Sequence, residues 1–238
     1  MRRVAAAASA AGASAYVAYQ RRQRPLHIAW DLDETLICSI HPLRRAKGAT
    51  LATPSERFVD IVDDDFEFKD GVPNMRTVLR PGVRSALRVL GLFSTQHVFT
   101  AAQGSYTEQV LALVDPERTI FESVLHRDLV PQPNGKDLTN LADTHGALDM
   151  SRTVLFDNRV YNFEPQPANG VHVRDYGSID VEFGESRPEM ARLVAIAFVA
   201  FLAPDVRPVL RLFRTARHAE LCKTTRPKVI RHVYKGRA

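Results

Sequence analysis

From Arg80 to Val173 the chain alternates between two hydrophobic patterns, and that alternation restricts the fold more than any single residue does. Val83, Leu87 and Leu90 recur at helical spacing behind Pro81-Gly82, which predicts a helix through Leu92. Short runs rich in β-branched and aromatic residues predict strands at Gln96–Thr100, Ile120–Leu125, Arg152–Asp157 and Gly170–Val173. Between them, Ser105–Val114 and Asp137–Leu148 read as helices. Strand and helix in turn imply an α/β fold, a mainly parallel sheet with helices on both faces. A chain of 238 residues, 45% hydrophobic and 25% charged, suits one such domain with decoration.

Upstream, Leu26 to Trp30 reads as a buried strand and runs straight into Asp31-Leu32-Asp33-Glu34-Thr35. Asp31 and Asp33 fall at the strand's C-terminal end, where open α/β sheets bind ligands. Side chains alternate along an extended chain, so the two carboxylates leave it in similar directions while Leu32 turns to the core. Carboxylates that close repel unless a cation lies between them or one holds a proton. Both remedies fit one reaction, with Asp31 a nucleophile held by Mg²⁺ and Asp33 a general acid and base. Read alone, the same residues are equally well an Asp-rich turn.

Residues 37–79 interrupt the pattern. Ile40 to Ser55 is irregular, after which Phe58–Val62, Phe66–Phe68, the Asp70-Gly71 turn and Met75–Leu79 predict a small β-hairpin insertion. Asp63-Asp64-Asp65 within it reads as a solvated loop. Glu189 to Leu202 is strongly apolar but about 14 residues long, a buried helix and not a membrane span. Pro204 ends it, and a second helix is expected over Val206–Leu221.

The net charge of +5 is concentrated at the ends. Five arginines and no acid precede Asp31, and ten Lys/Arg face two acids from Asp205 onward. Such ends suit an anionic lipid or acidic partner, or a solubilising tail. No basic-plus-aromatic pattern of an RNA-binding module is present, so nucleic acid is not expected. Residues 1–25 form their own zone, an Ala/Ser/Gly run flanked by arginines and followed by Pro25. The run is short for a membrane span and lacks the leucines of a secretory signal. A mitochondrial leader is the expectation and a plain disordered terminus the alternative. Residues 26–221 then make the domain and 222–238 a basic tail. Cys38 and Cys222 form no metal or redox motif, and two cysteines cannot make a disulfide framework.

Three more positions carry chemistry. Thr100 ends a strand just before a helix, a place for a hydroxyl and backbone N–H groups to hold phosphate oxygens, or for a plain N-cap. Lys136 is the single lysine between Lys69 and Lys223 in a stretch rich in arginine. A compact ammonium there can neutralise a nucleophilic carboxylate and a phosphoryl group; a surface lysine is the alternative. Asp157-Asn158 ends another strand and supplies either oxygen ligands for Mg²⁺ or an ordinary turn.

In order, these are the four motifs of the haloacid dehalogenase superfamily, and the chain resembles its FCP/SCP group of phosphatases, typified by those acting on the RNA polymerase II tail. The resemblance covers about His27 to Phe213. It rests on Asp-Leu-Asp-Glu-Thr-Leu at 31–36, Leu-Arg-Pro-Gly-Val at 79–83, Val-Phe-Thr-Ala at 98–101, Tyr106, His126-Arg127, Lys136-Asp137-Leu138, Phe156-Asp157-Asn158, Asn169-Gly170 and Asp205-Val206-Arg207. It implies a Rossmann-like α/β domain that hydrolyses phosphoserine or phosphothreonine in proteins through a phosphoaspartate on Asp31. Asp33 would be the acid and base, and Thr100 and Lys136 would hold phosphoryl oxygens. Mg²⁺ would take Asp31, the Asp33 carbonyl and Asn158, with Asp157 in support. Tyr106 and Arg127 would touch substrate. Where the group continues Asp-Asn with Ser-Pro, this chain has Arg159-Val160. Similar domains serve as mitochondrial import receptors or as membrane-associated phosphatases of the Dullard type. A translocase-binding role, with a mitochondrial, membrane-associated or cytosolic and nuclear location, is therefore the alternative, as is a small-molecule phosphatase.

Overall fold

The structure, a computed structural model, describes residues 15, 19, 24–40, 58–61, 75–130, 135–143, 146–177, 180–181 and 188–224. Strand β1 (Leu26–Trp30) is buried along its whole length. It lies in the middle of a five-stranded sheet, between β9 (Thr153–Asp157) and β5 (Ser94–Phe99). Strands β6 (Phe121–Leu125) and β10 (Gly170–His172) form the edges, and all four pairings are parallel. Burial on both faces is what a near-continuous apolar run such as Leu-His-Ile-Ala-Trp requires. Leu26, Ile28 and Trp30 enter the larger core cluster, while Ala29 turns to a smaller one with Phe99, Leu155 and Phe163.

Helix α1 (Val83–Gly91) follows the expected face, burying Val83, Ala86, Leu87 and Leu90. It packs on the larger side of the sheet against α3 (Glu189–Leu202), which buries Leu193, Ile196, Ala200 and Phe201. Helix α2 (Gly104–Val114) carries the crossover from β5 to β6. The chain therefore runs from β1 outward through β5 to β6, then returns across the sheet to β9 and β10. Its direction switches between β1 and β9, so their C-terminal ends open onto a shared crevice.

Three sequence expectations are corrected. The stretch Asp137–Leu148 is not one helix but a 3-10 turn at Leu138–Asn140 followed by the two-residue strands β7 (Ala142–Asp143) and β8 (Gly146–Ala147). The Asp137 carboxylate accepts from Thr139 N and Oγ1 and from Gln166 Nε2, at 2.9, 2.7 and 2.7 Å. Such local side-chain bonds compete with helix propagation. Val206–Leu221 is also broken, into α4 (Val206–Leu210), a 3-10 turn at Arg211–Phe213 and α5 (Ala216–Thr224). Arg214 is extended there, and the Thr215 carbonyl accepts from Ala219 N at 2.8 Å to start α5. The smaller face of the sheet is thus covered by 3-10 turns and α5, not by long helices.

The insertion has three described strands where a hairpin was expected. β2 (Ile37–Ile40) pairs antiparallel with β4 (Met75–Leu79), and β4 with β3 (Phe58–Ile61). Phe66–Phe68, the Asp70-Gly71 turn and Asp63-Asp65 lie outside the described residues, as do most of the expected leader and the tail beyond Thr224. Among the described residues, no helix is long and apolar enough to cross a membrane.

Candidate active site

The β1–β9 register opposes Trp30 to Phe156. The next residue, Asp31, donates its N–H to the Phe156 carbonyl at 3.0 Å, which brings it beside Asp157 at the end of β9. The chain then folds back on itself, with Thr35, Leu36 and Ile37 N–H groups all within 3.2 Å of the Leu32 carbonyl. Glu34 sits at the tip with φ +58°, and Tyr176 N–H holds its carbonyl at 2.7 Å. Buried Arg80 reaches under this loop, donating to the carbonyls of Thr35 and Arg174 at 2.9 and 2.8 Å. A left-handed non-glycine residue held from two sides marks strain that the surroundings impose.

Lys136 arrives from the opposite direction. Its N–H donates to the Asn162 carbonyl at 3.0 Å, just after Gly135 at φ +90°. A Cβ at Gly135 would stand 2.7 Å from the Tyr161 carbonyl oxygen, so the loop needs glycine for both conformation and close approach. The Lys136 side chain is wholly buried, and its Nζ donates to Asp31 Oδ1 at 2.5 Å and Asp157 Oδ2 at 2.6 Å. Asn162 Nδ2 also donates to Asp157 Oδ2, and Arg159 N–H to Asp157 Oδ1, at 2.8 and 2.7 Å. Asp157 is thus fully engaged and acts as the clamp that fixes the lysine.

Asp33 lies at the front. Tyr106 OH donates to its Oδ1 at 2.5 Å, Ser39 Oγ is 2.5 Å from the same hydroxyl, and Thr77 Oγ1 is 2.6 Å from Ser39. A polar chain therefore runs from the insertion strands β2 and β4 to the second carboxylate. Asp31, Asp33, Thr100 and Tyr106 line one cavity of about 390 Å³, together with Glu34, Gln103, Arg159, Tyr161 and Asn162. Thr100 Oγ1 accepts from Ala102 N at 3.1 Å at the cavity wall. Arg127 is exposed and is not among the residues that line the cavity.

Electrostatics follow from burial. Desolvation pushes the Asp31 carboxyl up to about 7, with Asp157 and Asp33 adding to the rise and Lys136 opposing it. Burial alone would lower Lys136, but the two carboxylates outweigh it and hold the group above its ordinary value as an ammonium. Burial and the Asp33 charge raise Tyr106 well above 10, so its hydroxyl stays a donor.

The donor set suits a hard divalent cation. Two carboxylates, Asp31 and Asp157, flank the one ammonium of Lys136, and Asp33 lines the same cavity as Asp31. Asn158 donates through Nδ2 to Glu34 and Asp175 at 2.8 and 3.1 Å, yet its buried Oδ1 has no hydrogen-bond partner. An orphaned amide oxygen beside a carboxylate is an oxygen ligand in waiting. Among the described residues no trio of His, Cys, Asp or Glu groups converges. A set with few protein oxygens suits Mg²⁺, which keeps several of its waters.

The model of the NLI interacting factor-like phosphatases matches residues 26–196. The chain belongs to this family. Its Rossmann-like α/β core, the β1 acidic pair and the β9 acid all fall inside that span. The mitochondrial import inner membrane translocase subunit tim50 of Aspergillus fumigatus is 31% identical over 143 residues, 58% of this chain and 26% of that protein. CTD small phosphatase-like protein 3 of Caenorhabditis elegans is 27% identical over 186 residues, 76% of this chain and 56% of that one. The chain thus spans between a quarter and just over half of these relatives. Among solved structures, the fission yeast RNA polymerase II CTD phosphatase Fcp1 bound to beryllium fluoride has the same fold. It superposes with a TM-score of 0.53 at 20% identity, over 88% of this chain and 64% of that one.

Two supporting side chains had no role assigned from the sequence. Thr35 Oγ1 donates to Asp31 Oδ2 at 3.2 Å, and Asn162 holds Asp157 from five residues on. Hydroxyls and amides in turns are too common for spacing alone to single these out.

Proposed function

We propose that the chain is a Mg²⁺-dependent phosphatase that hydrolyses phosphoserine or phosphothreonine in proteins. The observation that carries this reading is the buried Lys136 ammonium clamped between Asp31 and Asp157 behind an open cavity that Asp33 also lines. Asp31 attacks phosphorus and forms a phosphoaspartate, while Asp33 gives its proton to the departing serine or threonine oxygen. Asp33 then takes a proton from the water that cleaves the acyl phosphate, which frees phosphate and restores Asp31. Tyr106 orients Asp33, and Thr100 and Lys136 neutralise the phosphoryl oxygens. Asp31, Asn158 and the Asp33 carbonyl would hold Mg²⁺, with Asp157 in support; the ion, when bound, polarises the phosphoryl group. The cavity is open and not enclosed, which suits a polypeptide substrate. The catalytic unit in this reading runs from residue 26 through α5, three residues past the boundary expected at 221.

Asp31→Asn keeps nearly the same shape and removes the nucleophile. Hydrolysis of 4-nitrophenyl phosphate with Mg²⁺ should fall by at least about a thousandfold while the circular dichroism spectrum is unchanged. Turnover at the wild-type rate in this variant rules the reading out.

The match to a translocase subunit favours a second reading, a mitochondrial import component of the same fold. The two readings are compatible, because the carboxylates and the lysine are all present. Capture of translocase subunits by the tagged full chain from mitochondria supports it; a purely cytosolic or nuclear location excludes it.

A further inference from the structure

The cavity carries a cation that the chemistry above does not use. Among the described residues lining it, Arg159 is the one with a basic side chain, whereas Asp31, Asp33 and Glu34 are all acidic. Its backbone is fixed, since its N–H donates to the Asp157 carboxylate at 2.7 Å. Its side chain is 56% exposed, hydrogen-bonds Tyr161 and reaches to 3.5 Å from Glu34 Oε2, an oxygen that Asn158 Nδ2 already holds at 2.8 Å. A separation of 3.5 Å is a loose ion pair and not a made hydrogen bond. Half-exposed Tyr161 stands on the same wall. A guanidinium presents a planar fork of donors that matches a carboxylate or phosphate bidentately. Side chains alternate along an extended peptide at roughly 3.3–3.6 Å per residue, so the side chain two residues from the phosphorylated one faces the same way and can reach this wall.

We propose that Arg159 selects phosphopeptides that carry a second anionic group, a carboxylate or another phosphate, two residues from the phosphoserine or phosphothreonine. The inference rests on the phosphatase reading and narrows its substrate class. A neutral flank leaves the guanidinium on Glu34 and Tyr161. An anionic flank draws it over, and the guanidinium then offsets the negative charge that the flank brings to the entrance. A part-exposed bidentate pair is worth about a three- to tenfold preference.

The test compares kcat/KM of the full chain on phosphoserine peptides that differ at one position two residues from the phosphoserine, Asn, Asp, phosphoserine or Lys. Wild type should prefer the Asp or phosphoserine peptide over the Asn peptide by about three- to tenfold, mainly through KM. Comparing those two arms shows which anion is read. Arg159→Gln should abolish the preference, Arg159→Lys should keep part of it, and Arg159→Glu should turn it toward the Lys peptide. Equal kcat/KM in wild type, or a preference that survives Arg159→Gln, overturns the proposal. An equal loss on every peptide in Arg159→Gln does so too, because it would show that Arg159 merely balances Glu34. Wild-type turnover of 4-nitrophenyl phosphate separates the two levels. If it is present without a flank preference, only this inference fails; if it is absent, the phosphatase reading fails and this one with it.

Discussion

In the proposed reaction Tyr106 acts through Asp33 and not on phosphorus. Its OH is 2.5 Å from Asp33 Oδ1 and is braced by Ser39. Burial and the nearby carboxylate keep it protonated, so it always presents a donor to Asp33. The sequence resemblance makes Tyr106 a substrate contact; the geometry adds a role in aiming the acid and base. Tyr106→Phe removes the donor and keeps the ring. It should lower kcat by about tenfold, with a smaller change in KM, since outer-shell partners of this kind typically act on that scale. Steady-state kinetics on an aryl phosphate check this, and an unchanged kcat would return Tyr106 to a packing role.

At the scale of elements, the loop that delivers Lys136 is the vulnerable part. Gly135 combines φ +90° with a Cβ position 2.7 Å from a backbone oxygen. Gly135→Ala must move either the loop or the Tyr161–Asn162 turn, and both positions anchor the lysine clamp. The variant should lose about 1–3 kcal/mol of stability in urea unfolding and most of its activity. The five strands of the main sheet and α1–α3 were legible beforehand, because buried strands and amphipathic helices advertise themselves through period and apolar content. Asp137–Leu148 was not. Its apolar spacing suits a helix, but side-chain bonds from Asp137 and the φ +111° at Gly146 decide otherwise. The break at Arg214-Thr215 escaped for a related reason, since no glycine or proline marks it. Of the candidate site, the groups at strand ends could be read from order and spacing. Arg159, Tyr161 and Asn162 could not, because they come together only through a 3-10 turn (Val160–Phe163) that has no periodic signature.

At the scale of the whole molecule, charge as well as packing ties α3 to the β10 edge of the sheet. Buried Glu189 opens α3, accepts from Arg174 N–H at 3.1 Å and pairs with Arg192 through both carboxylate oxygens. Burial alone would raise its pKa, but the Arg192 and Arg174 hydrogen bonds prevail and hold it below 4.5. A folded pKa below the unfolded one adds stability that is present above the unfolded value and is lost as pH falls through the folded one. Glu189→Gln should therefore be destabilised relative to wild type at about pH 7, and the gap should close toward about pH 3. Urea midpoints across that range check the sign; a gap that widens on acidification would contradict it.

The central claim is that Asp31, held between Lys136 and the Asp33 side of the cavity, takes the phosphoryl group covalently. Rapid acid quench of the full chain during turnover of a phosphopeptide, followed by peptide mass mapping, tests it directly. The account predicts the added mass of one phosphoryl group on the peptide that contains Asp31, with fragmentation placing it on that residue. A phosphoryl group on any other side chain, or brisk turnover with no adduct at any quench time, would contradict it.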